Sequence, residues 1–309
     1  MAKRIAVVGG ANMDIGGFPD AALVAGDSNP GKVRMTPGGV GRNIAENMVR
    51  LGLEVELITA LGDDANGRAI LEDCRAKGIG ARESWISREN GTSVYLFVDD
   101  ARGDMSVAIN DMAIQNEITP EKLADKLDFL NGMDAVVIDA NLPEASIAFL
   151  TENVHVPIFA DAVSAAKVGK LRAHLNGIFC LKPNRMEAEL LTGMQISGVL
   201  KANEAAHRLL EMGLKQVFLT MGAQGAICAG DGQCIYLPGS ERSMVNASGA
   251  GDAFTAALVW SWCEGLSIRE TGIAGMAAAA IAVESISAVN PAMSAKLIHE
   301  RMQQIQKLI

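Results

Sequence analysis

Short apolar runs alternate with amphipathic stretches along most of this chain, and that alternation limits the folds open to it. The runs lie at 4–9, 55–61, 135–139, 156–161, 178–181 and 217–221 and are rich in Val, Ile, Leu and Ala. A continuous apolar run this short, without polar alternation, fits a strand buried on both faces. Between the runs, the stretches at 40–51, 65–77, 120–130, 144–153, 184–191 and 202–212 carry helical periodicity. Such a βαβ rhythm predicts a parallel sheet with helices on both faces. Three more helices are predicted at 250–264, 268–285 and 294–308.

Two stretches break the rhythm. Residues 12–37 hold many glycines and prolines but no helical pattern, and residues 90–110 contain TSVYLFVDD, a turn at Gly103, then DMSVAIN. The second is a β-hairpin signal. Together they predict an accessory sheet made by two insertions, at about 12–37 and 90–110, within a single domain spanning 1–309. No internal repeat or long polar linker interrupts the chain.

Composition narrows the partners. Hydrophobic residues make up 49% of the 309 and charged residues 20%, which excludes a disordered tail protein. The 27 basic and 36 acidic residues leave a net charge of −9, which repels a phosphate polymer. Aromatic residues, at 4%, offer few platforms for stacking bases, so no nucleic-acid polymer is expected as a ligand. A small phosphorylated ligand remains open, because backbone dipoles can make a local anion site inside an acidic protein. The longest apolar run, MAAAAIAV at 276–283, is far short of the ~20 residues of a membrane helix, so no membrane association is expected. The opening MAKRIAVVGG resembles a first buried strand more than a signal peptide. Five scattered cysteines without a CxxC pair read as reduced thiols of a cytoplasmic protein.

Five segments carry the chemistry. In Asn246-Ala247-Ser248-Gly249-Ala250-Gly251-Asp252, glycines open a helix and leave backbone N–H groups bare for an anion. Asp252 there is either a helix-dipole partner or a base that takes a proton from a hydroxyl attacking a phosphoryl group. Gly38-Gly39-Val40-Gly41-Arg42-Asn43 opens another helix but matches neither standard nucleotide loop, and its Arg42 suits a phosphate or a carboxylate equally. Lys182-Pro183-Asn184-Arg185-Met186-Glu187 is a capping box by spacing, or a pair of side chains placed for Mg²⁺ and its waters. Thr220-Met221-Gly222-Ala223-Gln224-Gly225 is a glycine-bounded turn able to admit a nucleotide. Asn12-Met13-Asp14 ends the first strand, where open α/β sheets bind ligands and where sugar hydroxyls could satisfy a buried amide and carboxylate.

In their order and spacing, GGANMD, GGVGRN, NRME, TMGAQG and SGAGD resemble the ribokinase-like carbohydrate kinase family over almost the whole chain. The resemblance implies a three-layer α/β fold, with a central mostly parallel sheet flanked by helices plus a small β-sheet lid. It also implies ATP-dependent phosphorylation of a sugar hydroxyl. By the same resemblance Asp252 is the general base, and Gly249, Ala250 and Gly251 form the anion hole. Asn184 and Glu187 match the Mg²⁺–phosphate motif, with Glu187 acting through water, while Thr220, Gly222 and Gly225 match the ATP-side turn. Asn12, Asp14, Gly38, Gly39 and Asn43 match sugar-hydroxyl contacts.

Within the family, DSNPGK at 27–32 running into TPGGVGRNIA, and VAINDM at 107–112, resemble the branch that phosphorylates the 5′-hydroxyl of pseudouridine. That nucleoside offers an extra ring N–H, for which Asn110 and Asp111 are candidate readers. Ser93 and Tyr95 are further candidates, with an ordinary strand role as the equal alternative. The rival readings are a kinase for another nucleoside or a pentose, and a nucleotide-sensing regulator without turnover; an intact Asp252 counts against the regulator. A homodimer through the lid is expected, since an accessory sheet exposes edges and one apolar face.

Many family members carry Asp-Thr-Thr where this chain has Asn246-Ala247-Ser248. The first position helps to hold a monovalent cation, and an amide supplies an oxygen without formal charge. Weak potassium dependence is therefore expected in steady-state assays. Strong activation by millimolar potassium, absent with sodium, would show that neighbouring carbonyls suffice.

Overall fold

The computed structural model describes residues 3–239 and 249–308. Its first strand, Arg4–Val8, sends Ile5 and Val7 into one core and Ala6 and Val8 into another. The strands Ala135–Asp139 and Ile158–Asp161 behave alike, with Val137 and Phe159 on the first side and Val136, Ile138, Ile158 and Ala160 on the second. Burial on both faces is the reason these runs carry no polar alternation.

Eight strands form the large sheet, in the order Gln233–Leu237, Ala226–Gly230, Gln216–Thr220, Cys180–Lys182, Ile158–Asp161, Ala135–Asp139, Arg4–Val8, Glu54–Ile58. The last six are mutually parallel, and the first two form an antiparallel hairpin on the edge. Helices Val40–Arg50, Ala250–Cys263, Ile268–Ala282 and Ala295–Gln306 cover one face through residues such as Met48, Leu258, Ala278 and Ile298. Helices Glu144–Asn153, Arg185–Thr192 and Val199–Glu211 cover the other through Ile147, Leu191 and Leu209. These are the three layers expected of a ribokinase-like α/β fold.

From Arg4–Val8 the chain crosses by Val40–Arg50 to Glu54–Ile58, whereas the neighbour on its other side, Ala135–Asp139, leads into a helix on the opposite face. The order therefore reverses between Arg4–Val8 and Ala135–Asp139. Open sheets bind ligands outside the carboxyl ends at such a point. There the Gly10 amide donates across the crevice to Asp139 Oδ2 at 2.8 Å.

A second sheet, ordered Gly31–Gly38, Asn12–Pro19, Val94–Asp99, Met105–Asp111, rises beside that crevice. Its outer hairpin turns at Gly103, with φ 87°, as the sequence predicts.

Three details differ from expectation. The run at 55–61 splits, so that Glu54–Ile58 stays in the large sheet while Ala60–Gly62 pairs with Trp85–Ser87. The helix at 120–130 breaks into Pro120–Ala124 and Leu127–Asn131, where the Lys126 amide bonds back to the Leu123 carbonyl and tightens the turn. The edge hairpin was not predicted, although Asp231 (φ 49°) and Gly232 (φ 75°) form the Asp-Gly turn that marks one. No helix among the described residues is long and apolar enough to cross a membrane.

Helices Ala250–Cys263 and Ile268–Ala282 pack so closely that a Cβ on Gly275 would run into the Phe254 ring. Gly275→Ala is expected to cost about 1–3 kcal/mol by overpacking, seen as a lower thermal midpoint. An unchanged midpoint would mean that the ring has room to yield.

Candidate active site

The helix Ala250–Cys263 starts from Gly249, whose φ of 80° is left-handed and whose missing Cβ makes room for the Ala288 carbonyl. No side chain among the described residues caps this N-terminus. Its first-turn N–H groups and the positive end of its dipole are thus available to an anion. Gly249, Ala250 and Gly251 all take part in this turn. Asn246, Ala247 and Ser248 lie outside the described residues.

Asp252, on the same turn, accepts a hydrogen bond from Asn43 Nδ2 at 2.9 Å. Its carboxyl is pushed up to about 7, first by burial and then by the Asp161 carboxylate; Asn43 and Lys182 oppose the rise, and Asp139 adds to it. A carboxyl poised near neutrality is suited to general-base work.

Lys182, to which the sequence alone assigns no role, is buried at the end of its strand with Nζ 3.5 Å from Asp161 Oδ2. Burial works against its charge, but the carboxylates of Asp161, Glu187 and Asp252 outweigh that and raise its pKa. A Cβ on Gly251 would lie 3.3 Å from Lys182 Nζ, so the ammonium stands against the anion-binding turn. Asp161 itself accepts from Thr255 Oγ1 at 2.6 Å and from the Val163 amide at 2.8 Å. The role of Lys182 comes from strand register, which sets it beside the strand ending in Asp161 and which the sequence does not display.

On one side of this centre a cavity of about 610 Å³ runs from Lys182, Ala250 and Gly251, past Thr220, Gly222 and Gly225, to Phe254, Met276, Ala279 and Val283. Its size and apolar far wall suit a nucleotide whose phosphates point at the helix N-terminus. Thr220 ends its strand bonded to the Pro183 carbonyl, and Gly225, with φ 95°, sits where a Cβ would strike the Leu237 carbonyl.

Asn184 and Glu187 form the capping box in both directions: the Asn184 amide donates to Glu187 Oε2 at 2.8 Å and the Glu187 amide to Asn184 Oδ1 at 2.9 Å. Glu187 is nevertheless buried, and desolvation raises its pKa despite the Asn184 bond and Lys182. Among the described residues no group of three or more His, Cys, Asp or Glu could hold a metal alone. The single buried carboxylate of Glu187 is a donor of the kind that fits Mg²⁺, which keeps its waters and binds through one or two carboxylates and the phosphates of a substrate.

On the other side lie the sugar candidates. Asn12 is buried and its Nδ2 donates to Asp14 Oδ1 at 2.6 Å. Gly38 has no side chain because Asp14 occupies that space, and Gly39, with φ 98°, packs against the backbone of Gly10 and Ala11. Asn43 is buried and links this group to Asp252. Arg42 is buried, with its guanidinium paired to Glu46 and Asp73.

The register of the small sheet sorts the base-reading candidates. Asp14 pairs with Tyr95 and Tyr95 with Asn110, so the three share one face. Asp111 pairs with Val94 and so lies on the face opposite Asn110. Ser93 is buried just before the strand, where its hydroxyl accepts from Gln115 Nε2 at 3.3 Å.

A helix N-terminus open to an anion, an adjacent carboxyl near neutrality and a nucleotide-sized cavity together describe an enzyme for phosphoryl transfer to a small hydroxyl compound. The pfkB family carbohydrate kinase model matches residues 2–295, and the chain belongs to that family as an ATP-dependent sugar or nucleoside kinase. It is 39% identical over 269 residues to a pseudouridine kinase of Escherichia coli K12, covering 86% of each chain. It is 35% identical over 291 residues to the uncharacterized sugar kinase YeiI of the same organism, covering 94% of this chain and 80% of YeiI. A solved ribokinase of Arabidopsis thaliana, complexed with ribose and ATP, superposes with a TM-score of 0.87 at 25% identity, covering 98% of this chain and 99% of that one.

The Asp252 position predicts the pH profile. With its carboxyl near 7, kcat/KM is expected to fall about tenfold per unit as pH drops below neutrality and to level off above it. Asp252→Asn is isosteric but takes no proton, so turnover should fall about 10²–10⁴-fold with binding of the phosphoryl acceptor nearly intact. A variant with near-parental kcat would remove Asp252 from the role of base.

Proposed function

We propose that this kinase transfers the γ-phosphate of ATP to the 5′-hydroxyl of pseudouridine, giving pseudouridine 5′-phosphate and ADP. The observation that carries the reading is Asp252, bonded through Asn43 to the sugar side of the cleft and sitting on the turn that ends the nucleotide cavity. The pseudouridine choice is supported by the 39% identity to the E. coli pseudouridine kinase. Kinship to a guanosine-inosine kinase of Exiguobacterium acetylicum, 28% identical over 291 residues, keeps another nucleoside as the second reading.

In this mechanism Asn12, Asp14 and Asn43 hold the ribose, and Gly38 and Gly39 let the backbone come close to it. Asp252 takes the 5′-hydroxyl proton as that oxygen attacks the phosphoryl group. The amides of the first turn at Gly249, Ala250 and Gly251, together with Lys182, face the charge developing on the transferred group. Thr220, Gly222 and Gly225 seat the nucleotide, with Asn184 at the helix start beside them. Mg²⁺, held by Glu187 through water, would supply charge neutralisation on the phosphates.

The chain acts as one domain in the cytoplasm, with lid segments at about 12–37 and 90–110. A second copy covers the outer face of the lid. That face carries Val33, Met35, Leu96, Val107 and Ile109, all exposed and all on the side away from Asp14.

The base lies against the inner face, where Tyr95 and Asn110 offer oxygens to the extra N–H of pseudouridine. An ATP-consumption screen over pseudouridine, uridine, other nucleosides, ribose and fructose tests the reading. Pseudouridine should exceed uridine in kcat/KM by about tenfold or more, the effect of leaving one buried partner unpaired at ~1–3 kcal/mol. Asn110→Ala should narrow that gap more than Asp111→Ala. Equal rates on the two nucleosides would sink the pseudouridine assignment, and an unchanged gap in both alanine variants would sink Asn110 as the reader.

A further inference from the structure

Arg42 is an arginine only 2% exposed that touches no group assigned to substrate binding except Asn43. Its Nη2 lies 2.5 Å from Glu46 Oε2 and 2.6 Å from Asp73 Oδ2. Its Nη1 points elsewhere and donates to Asn43 Oδ1 at 3.0 Å. A guanidinium has donors only, so the atom of the Asn43 amide facing it must be the oxygen. The nitrogen is thereby turned to Asp252, 2.9 Å from Oδ2.

We propose that Arg42 is a positioning residue: by fixing the Asn43 amide it keeps a hydrogen-bond donor on the Asp252 carboxylate and makes Asn43 a donor-only contact for the substrate. The proposal rests on Asp252 being the base of the reaction above. One Asn43 N–H is engaged by Asp252, and the second is left to donate to a sugar hydroxyl. That hydroxyl must accept from Asn43 and give its own proton to a carboxylate such as Asp14. Were the amide turned over, its oxygen would face Asp252, and lone pair against carboxylate favours the protonated acid, which is no base.

The surroundings leave this orientation exposed to a single bond. Facing Asp252 are Asp161, Lys182 and Asp139, each at the end of a strand, and among the described residues only Asn43 is hydrogen-bonded to its carboxylate. Facing Arg42 are Glu46, Asp73 and the more distant Asp14. Glu46 is also held by Arg50 at 2.7 Å and Lys77 at 3.0 Å, and Asp73 by Lys77 at 3.0 Å. Replacing Arg42 therefore strands neither carboxylate, and the fold has a reason to survive.

The test uses the full chain with Arg42→Lys, Arg42→Met and Asp73→Asn. Lysine keeps the positive charge but lacks the fork that reaches the carboxylates and Asn43 together, so it carries the test if the methionine variant does not fold. Asp252 is titrated directly by NMR of ¹³C-labelled aspartate, its signal assigned by its loss in Asp252→Asn, with no substrate present. The pH dependence of kcat/KM is measured with whichever nucleoside the parent phosphorylates. Both Arg42 variants should move the Asp252 midpoint upward by about one unit, a tenfold loss of kcat/KM below neutrality that shrinks in alkaline buffer. Asp73→Asn should lower the thermal midpoint and leave the Asp252 titration where it was. A parental midpoint in the folded Arg42 variants overturns the proposal, and so does an equal shift in Asp73→Asn, which would trace the effect to general loosening. A parent that phosphorylates no nucleoside, with Asp252 still shifting in Arg42→Lys, would uphold the positioning role and remove only the proposed function.

Discussion

Buried charge gathered at one edge of the large sheet governs the rest of the cleft. Parallel strands all end on the same side, so Asp139, Asp161 and Lys182 reach a common edge, where Asp252 meets them from the helix. Each charge costs free energy to desolvate unless it finds partners. Asp139 finds the amides of Gly10 and Asn141, both at 2.8 Å. Asp161 finds Thr255, Lys182 and the amide of Val163, a β-branched residue at φ 64° whose strained backbone is tolerated where it completes the bond. Asp252 accepts only the Asn43 bond among the described residues, and burial, followed by the Asp161 carboxylate, pushes its carboxyl up to about 7.

The same topology makes the two sides of the centre chemically different. Ala250–Cys263 and Ile268–Ala282 are apolar on most of their circumference, and the space between their ends and the strand Gln216–Thr220 is walled by Phe254, Met276 and Ala279. An aromatic base can lie there without displacing polar groups. At the strand reversal the wall is instead Asn12, bonded to Asp14, and Asn43, bonded to Asp252, and these polar groups retain donors and acceptors for a polyhydroxyl compound. Phosphoryl donor and acceptor are thus separated by the chemistry of their walls, with the helix N-terminus between them.

Much of this was legible in the sequence for reasons of periodicity. Ile5 and Val7 serve one core while Ala6 and Val8 serve the other, so double burial leaves its mark in unbroken apolar runs. Gly249 and Gly39 mark places where the backbone takes φ of 80° and 98° that other residues resist, so both glycine motifs fall where the chain turns into a helix. The capping-box spacing of Asn184 and Glu187 appears in the structure as written. Features set by register were not legible. Lys182 matters because its strand lies beside the one ending in Asp161, and Asp111 differs from Asn110 because one step along a strand changes the face. Arg42 was ambiguous because its partner Asp73 stands 31 positions away on another helix.

Strand alternation also ties the lid's two duties together. Asp14, Tyr95 and Asn110 share one face, so their neighbours Ile15, Leu96 and Ile109 are obliged to take the other. Ile15 reaches the core of the main body, but Leu96 and Ile109 stay exposed beside Val33, Met35 and Val107. A four-stranded sheet with one face on the cleft has too little of its own interior to fix its angle. The proposed second copy would bury that outer face and hold the sheet from behind, so that Tyr95 and Asn110 meet the base at a defined height. Substrate discrimination and subunit association then draw on opposite faces of the same strands, and a change of register in Met105–Asp111 would disturb both at once.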